Sequence, residues 1–109
     1  SLHVPLTGET RSLIDGRALS LMKPRAVLIN AARGGIVDEA ALAAALRAGT
    51  LAGAALDVFE TEPLDAAHGA MFAGIQNLLL TPHVAGVTEQ SNVRVSIVTA
   101  AAVLRHLDG

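Results

Sequence analysis

The chain of 109 residues contains no cysteine. That absence removes disulfide frameworks, thiolate nucleophiles and cysteine-based zinc sites together, and nothing then demands an oxidising compartment. Aromatic residues are nearly missing too, with two Phe, no Trp and no Tyr. Lacking a stacking platform, and with 8 Lys plus Arg unclustered against 10 Asp plus Glu, the chain is not expected to bind nucleic acid. Gly, Arg, Asp or Glu interrupts every apolar run, so no membrane span is expected, and no stretch reads as a cleavable signal. A cytoplasmic protein is the expectation. The last absence is a G-x-G-x-x-G turn, the phosphate-binding opening of a dinucleotide domain.

What is present is 51% hydrophobic with a net charge near -2, which suits one small globular domain. Apolar runs alternate with helical patterns in the βαβ rhythm of a parallel sheet, so the fold class is α/β. Leu2-His3-Val4 reads as the end of a strand. Beyond Pro5, Thr7 with Glu9, Thr10, Arg11, Leu13 and Ile14 predicts a short capped helix broken at Asp15-Gly16, and a second follows over 17 to 22. Lys23-Pro24-Arg25 turns into a strand at 26 to 30, rich enough in Val, Leu and Ile to be buried on both faces. Asp38 as N-cap, Glu39 in the first turn and Gly49 at the C-terminal cap frame a helix over 39 to 48, with Leu42 and Leu46 toward the sheet. Strands at 53 to 58 and 77 to 81 enclose a loop whose residues 66 to 73 form a helical turn. From Glu89 to Leu107, with Thr88 as cap, Val93, Ile97, Ala101 and Leu104 recur at helical spacing.

Ligands in such sheets bind outside the carboxyl ends of the strands. Three residues stand there: Arg33 after AVLIN, Glu62 after AGAALDVF, and His83 after NLLL. A guanidinium grips carboxylates in a fork, an imidazole moves protons near neutral pH, and a carboxylate keeps that imidazole aimed and charged. Each has a plainer reading as well. An Arg before Gly-Gly is commonly a solvated loop charge, although Gly34 and Gly35 also permit a ligand-binding turn. His83 could be a satisfied strand-end histidine, the class to which His3, His68 and His106 are assigned. Spacing alone does not choose among Glu62, Glu60, Asp57 and Asp65. No residues suggest a metal site.

The blocks His3-Val4-Pro5-Leu6-Thr7 with Glu9-Thr10-Arg11, then LMKPRAVLINAARGGIVDEAALAAAL, LAGAALDVFETEPL and LTPHVAG resemble, in order and almost end to end, the D-isomer-specific 2-hydroxyacid dehydrogenases. The resemblance selects Glu62 through its Glu-Pro pair. It implies that Arg33 holds the substrate carboxylate and polarises the keto oxygen, that His83 exchanges a proton with that oxygen, and that Glu62 orients His83. It also implies cofactor contacts from His3, Val4, Pro5, Thr7, Ala31, Ala32, Arg33, Asp57, His83, Val84, Ala85 and Gly86, with Asp57 near the nicotinamide amide. A carboxylate capping a strand-end loop is the plainer reading of Asp57.

The family carries a glycine-rich turn that these 109 residues lack. Residues 1 to 88 are therefore expected to be the C-terminal part of a Rossmann-type NAD-binding domain, with parallel strands and flanking helices. Residues 89 to 109 are the expected helix leading back to a substrate domain, and this fragment alone is expected to be inactive. The cofactor expected from the resemblance is NAD, with NADP possible, and the partners are a small 2-keto or 2-hydroxy acid and a second copy in a homodimer. Block 51 to 64 most resembles the branches of that family that act on 3-phosphoglycerate or on hydroxypyruvate and glyoxylate, which are the substrates the resemblance implies. The alternative is an NAD-responsive corepressor-type binding module without turnover.

Overall fold

The computed structural model describes residues 1 to 108. Its sheet has three parallel strands in the order β1 (Val27–Asn30), β2 (Gly53–Leu56) and β3 (Leu78–Leu80). Val27 pairs with Gly53, and Ala54 with Leu78. Helix α2 (Glu39–Arg47) connects β1 to β2. A short helix α3 (Ala66–Gly69) and a 3-10 turn (Ala70–Phe72) lie between β2 and β3. Helix α1 (Gly16–Ser20) precedes the sheet, and α4 (Glu89–Leu107) follows it. The parallel α/β class is as expected. Leu2 makes a parallel bridge to Asn30 through its N–H to the Ile29 carbonyl, 3.0 Å away. His3-Val4-Pro5 thus leaves at the same end as the three strand termini.

Local chemistry set most boundaries. Asp38 caps α2 by accepting from the Ala41 N–H at 2.9 Å. At the other end Gly49 takes φ +69, and the Thr50 and Gly49 amides close onto the Ala45 and Leu46 carbonyls, a Schellman ending. Thr88 caps α4 in a reciprocal box with Ser91. Leu42 and Leu46 face the core with Leu28, Leu51, Leu56, Val37, Phe59 and Phe72. Each such side chain contributes about 1.5–3 kcal/mol by leaving water.

Three expectations are corrected. The segment from Thr7 to Ile14 is a run of turns and not a helix. Thr7 and Thr10 do exchange side-chain and amide bonds as a cap would. The helix stops because the Ser12 amide goes to the Gly35 carbonyl and the Ile14 amide to that of Ile36, with Ser12 at φ +51. Asp15, expected to help break a helix, instead caps α1 through the Ala18 amide. Third, β1 is covered on one face only: Leu28 and Asn30 are buried, while Val27 and Ile29 are 59% and 43% exposed. No helix of the described residues covers that face.

Helix α4 buries none of its residues. It stretches the molecule to 58 × 27 × 26 Å with a radius of gyration of 17.2 Å, against about 13 Å for a compact chain of this length. Among the described residues no helix is long and apolar enough to cross a membrane, and no cluster of His, Asp and Glu could hold a metal ion.

Candidate active site

The turn after β2 carries Glu62 toward the turn after β3, and the two meet. His83 Nδ1 lies 2.7 Å from Glu62 Oε2. Glu62 Oε1 accepts from the Phe59 N–H at 2.9 Å, so one oxygen is anchored in its own turn while the other orients the ring. The histidine contact, and then the Phe59 amide, hold the Glu62 carboxyl below its ordinary pKa. An ionised carboxylate can only accept, so Nδ1 carries the proton and Nε2 is left for exchange with a ligand. Two other carboxylates near in sequence are engaged elsewhere: Asp65 caps α3 and bonds His68 at 2.8 Å, and Asp57 binds the loop that contains His83; the exposed Glu60 side chain makes no bond to His83.

That loop is held in an uncommon shape. His83 has φ +56, the left-handed region, which costs a non-glycine residue about 1–2 kcal/mol. Asp57 stands at the end of β2 with its side chain turned to the loop. Its Oδ1 accepts from Thr81 Oγ1 and the Val84 N–H, and its Oδ2 from the Ala85 N–H at 2.9 Å. These bonds straddle His83 and fix the backbone on both sides. The Thr81 hydroxyl is the chief reason the Asp57 carboxyl stays below its ordinary pKa, with the two amides adding to it.

Arg33 follows β1. Asn30, the last residue of that strand and 2% exposed, accepts from the Ala32 N–H and donates through Nδ2 to the Arg33 carbonyl at 3.0 Å. The guanidinium is exposed and donates to the Ala32 carbonyl, making no bond to Glu62 or His83. Glu62 and His83 are thus brought together, while Arg33 stands on the neighbouring strand end with no carboxylate partner among the described residues. A Cβ at Gly34 would overlap the Phe59 carbonyl, so the Arg33 turn packs directly on the turn that leads to Glu62. A cavity of about 620 Å³ opens beside His83, lined by Phe59, Glu62, Leu64, Leu80, Pro82 and neighbours.

The expected cofactor positions lie along the same rim. His3, Val4, Pro5, Thr7, Ala31, Val84, Ala85 and Gly86 are exposed there. Their chemistry fits a dinucleotide in part. Asp57 Oδ2 accepts one bond where a carboxylate oxygen takes two, which leaves capacity for a carboxamide donor. Val4, Pro5 and Val84 offer apolar edges for flat rings. The Val84 and Ala85 amides are already spent on Asp57, so contacts from those residues fall to carbonyls and side chains. Two positioning residues were missed by sequence reading: Asn30 and Thr81. The signal for Asn30 and Thr81 was a polar residue closing an otherwise apolar run.

The family model for the D-isomer specific 2-hydroxyacid dehydrogenase NAD binding domain matches residues 1–85. An (S)-sulfolactate dehydrogenase of Chromohalobacter salexigens is 59% identical over 107 residues, 98% of this chain and 34% of that protein. A glyoxylate reductase of Aeropyrum pernix is 45% identical over 109 residues, 100% of this chain and 32% of that protein. The crystal structure of a D-lactate dehydrogenase from Aquifex aeolicus with NAD and lactic acid superposes with a TM-score of 0.89 at 36% identity, covering 99% of this chain and 36% of that one. The chain spans about a third of the length of these relatives. With the strand-end geometry and the match over residues 1–85 in agreement, the chain belongs to the D-isomer specific 2-hydroxyacid dehydrogenase family.

Proposed function

We propose that the protein carrying this chain interconverts a small 2-keto acid and its D-2-hydroxy acid, with NAD(H) as the redox partner and NADP possible. The observation that carries this reading is the 2.7 Å contact of His83 with Glu62 at the carboxyl edge of a parallel sheet, beside the unpaired charge of Arg33. NAD(H), when bound, supplies or accepts the hydride. Arg33 leaves the Ala32 carbonyl and grips the substrate carboxylate in a two-bond fork, drawing electron density from the keto oxygen. His83 gives its Nε2 proton to that oxygen during reduction and takes it back during oxidation, acting as general acid and base. Glu62 holds the ring and stabilises its charged form, and Asp57 keeps the His83 loop in place and would accept from the carboxamide of the bound cofactor.

Residues 1 to 88 would supply part of the cofactor domain, with 89 to 109 as the helix toward a substrate domain. The exposed apolar side chains of α4 support a homodimer, and the absence of cysteine from the chain is consistent with a cytoplasmic location. Candidate substrates are 3-phosphohydroxypyruvate, hydroxypyruvate and glyoxylate from the character of block 51 to 64, together with sulfopyruvate from the 59% identical relative. All share the 2-keto carboxylate that Arg33 and His83 address. The test is NADH or NADPH consumption by the purified protein with each of the four. Turnover of at least one is expected, and failure with all four would overturn the reading.

A further inference from the structure

Glu39 opens α2, where a carboxylate is expected to sit in water beside the helix N-terminus. It sits elsewhere. The residue is 4% exposed, and its Oε1 accepts from the N–H of Glu60, 21 positions away, at 2.6 Å. Burying a carboxylate is costly unless its bonds compensate, and burial does push this carboxyl above its ordinary pKa. The Glu60 amide opposes that rise.

The bond falls at a sensitive place. Phe59 gives its amide to Glu62, and the next amide in the chain, that of Glu60, goes to Glu39. Two consecutive amides of one turn are therefore held by two carboxylates, one of which orients His83. The Phe59 carbonyl is meanwhile seated against Gly34, four residues before α2 is capped at Asp38. Gly34 and Glu39 thus grip the turn from one side and tie it to the stretch that carries Arg33.

We propose that Glu39 is a positioning residue for the pair of Glu62 and His83: by holding the Glu60 amide it sets the turn from which Glu62 reaches the imidazole. The proposal rests on the proton-transfer role given to His83 above. Charged groups facing Glu39 are Glu60 and Glu62 on the turn and His68 on α3. Those facing Glu62 are His83 and Asp57.

The test compares three variants of the protein that carries this chain. Glu39→Met fills the space but removes the acceptor, Glu39→Asp withdraws it by one methylene, and Glu39→Gln keeps an oxygen where the amide needs one. With Met or Asp, kcat for keto-acid reduction should fall about tenfold, the upper end for one ordinary lost hydrogen bond, with KM little changed. The alkaline limb of the rate profile should move to lower pH. Gln should restore both. Histidine ring 15N spectra provide a readout that needs no turnover: neutral His83 should be the Nδ1–H tautomer in wild type and Gln, and drift to Nε2–H in Met and Asp. A folded Met or Asp variant with unchanged tautomer and unchanged alkaline limb would overturn the proposal, leaving Glu39 a fold anchor. A tautomer shift in a protein that reduces no keto acid would sustain the positioning role and sink the enzymatic reading instead.

Discussion

Glu62 divides its two oxygens between its own turn and the His83 ring, so a single substitution separates holding from charging. Glu62→Gln keeps an acceptor for the Phe59 amide and deletes the negative charge beside the imidazole. Without that charge the imidazolium is less favoured. The alkaline limb of reduction, which needs charged His83, should move to lower pH, and the acidic limb of oxidation, which needs neutral His83, should move the same way. Limbs that stay in place would remove Glu62 from its role. Arg33 and His83 separate by kinetic parameter. Arg33→Lys keeps the charge but loses the planar fork, so KM for the keto acid should rise as kcat falls. His83→Asn should act chiefly on kcat, by about 10² to 10⁴. Steady-state kinetics on both variants decide.

The connections between elements carry most of the precision, and two glycines show how differently a missing Cβ can matter. Gly49 has open space around it and φ +69, so Gly49→Ala should cost about 1–2 kcal/mol of backbone strain and leave the chemistry alone. Gly34→Ala puts a methyl group into the Phe59 carbonyl. It should cost about 1–3 kcal/mol through overpacking and displace the turn that carries Glu62, lowering kcat as well. Thermal unfolding paired with kinetics distinguishes the two outcomes. Glu39 gives the element scale its pH dependence. Its carboxyl is raised in the fold chiefly by burial, so the charged form costs stability as pH climbs above the ordinary carboxylate range, near 4.3, and costs none below it. Glu39→Gln should therefore raise the melting temperature at pH 7 and gain little or nothing at pH 4. A gain at pH 4 equal to that at pH 7 would contradict this sign.

At the scale of the whole molecule, the unburied side chains dominate. Val93, Val95, Ile97, Val98, Val103, Leu104 and Leu107 on α4 are each more than half exposed, and so is Val27 of β1. Apolar surface of that extent marks interaction sites in soluble proteins. The homodimer proposed above is expected to draw on the apolar side chains of α4. Light scattering at micromolar concentration should return twice the monomer mass, and replacing Ile97 and Leu104 by Glu should return the monomer if α4 lies in the contact. A monodisperse wild-type monomer would refute the homodimer.

Sequence alone determined what depends on near neighbours. Asp38, Gly49 and Thr88 act through bonds within five residues, so the bounds of α2 and α4 were legible, as was the placing of Arg33, Glu62 and His83 after apolar runs. The family blocks added the choice of Glu62 among four carboxylates. Tertiary structure decided whatever joins distant segments. The contact of Glu62 with His83 spans 21 positions, as does that of Glu39 with Glu60, and no local pattern encodes either. Thr7 and Thr10 formed their cap as written, yet Gly35 and Ile36 claimed the Ser12 and Ile14 amides, and a backbone donor follows the partner that the packed fold supplies. Glu39 shows the same limit: its helix position is a local property, whereas its burial against the Glu60 amide exists only once the turn after β2 lies across the start of α2.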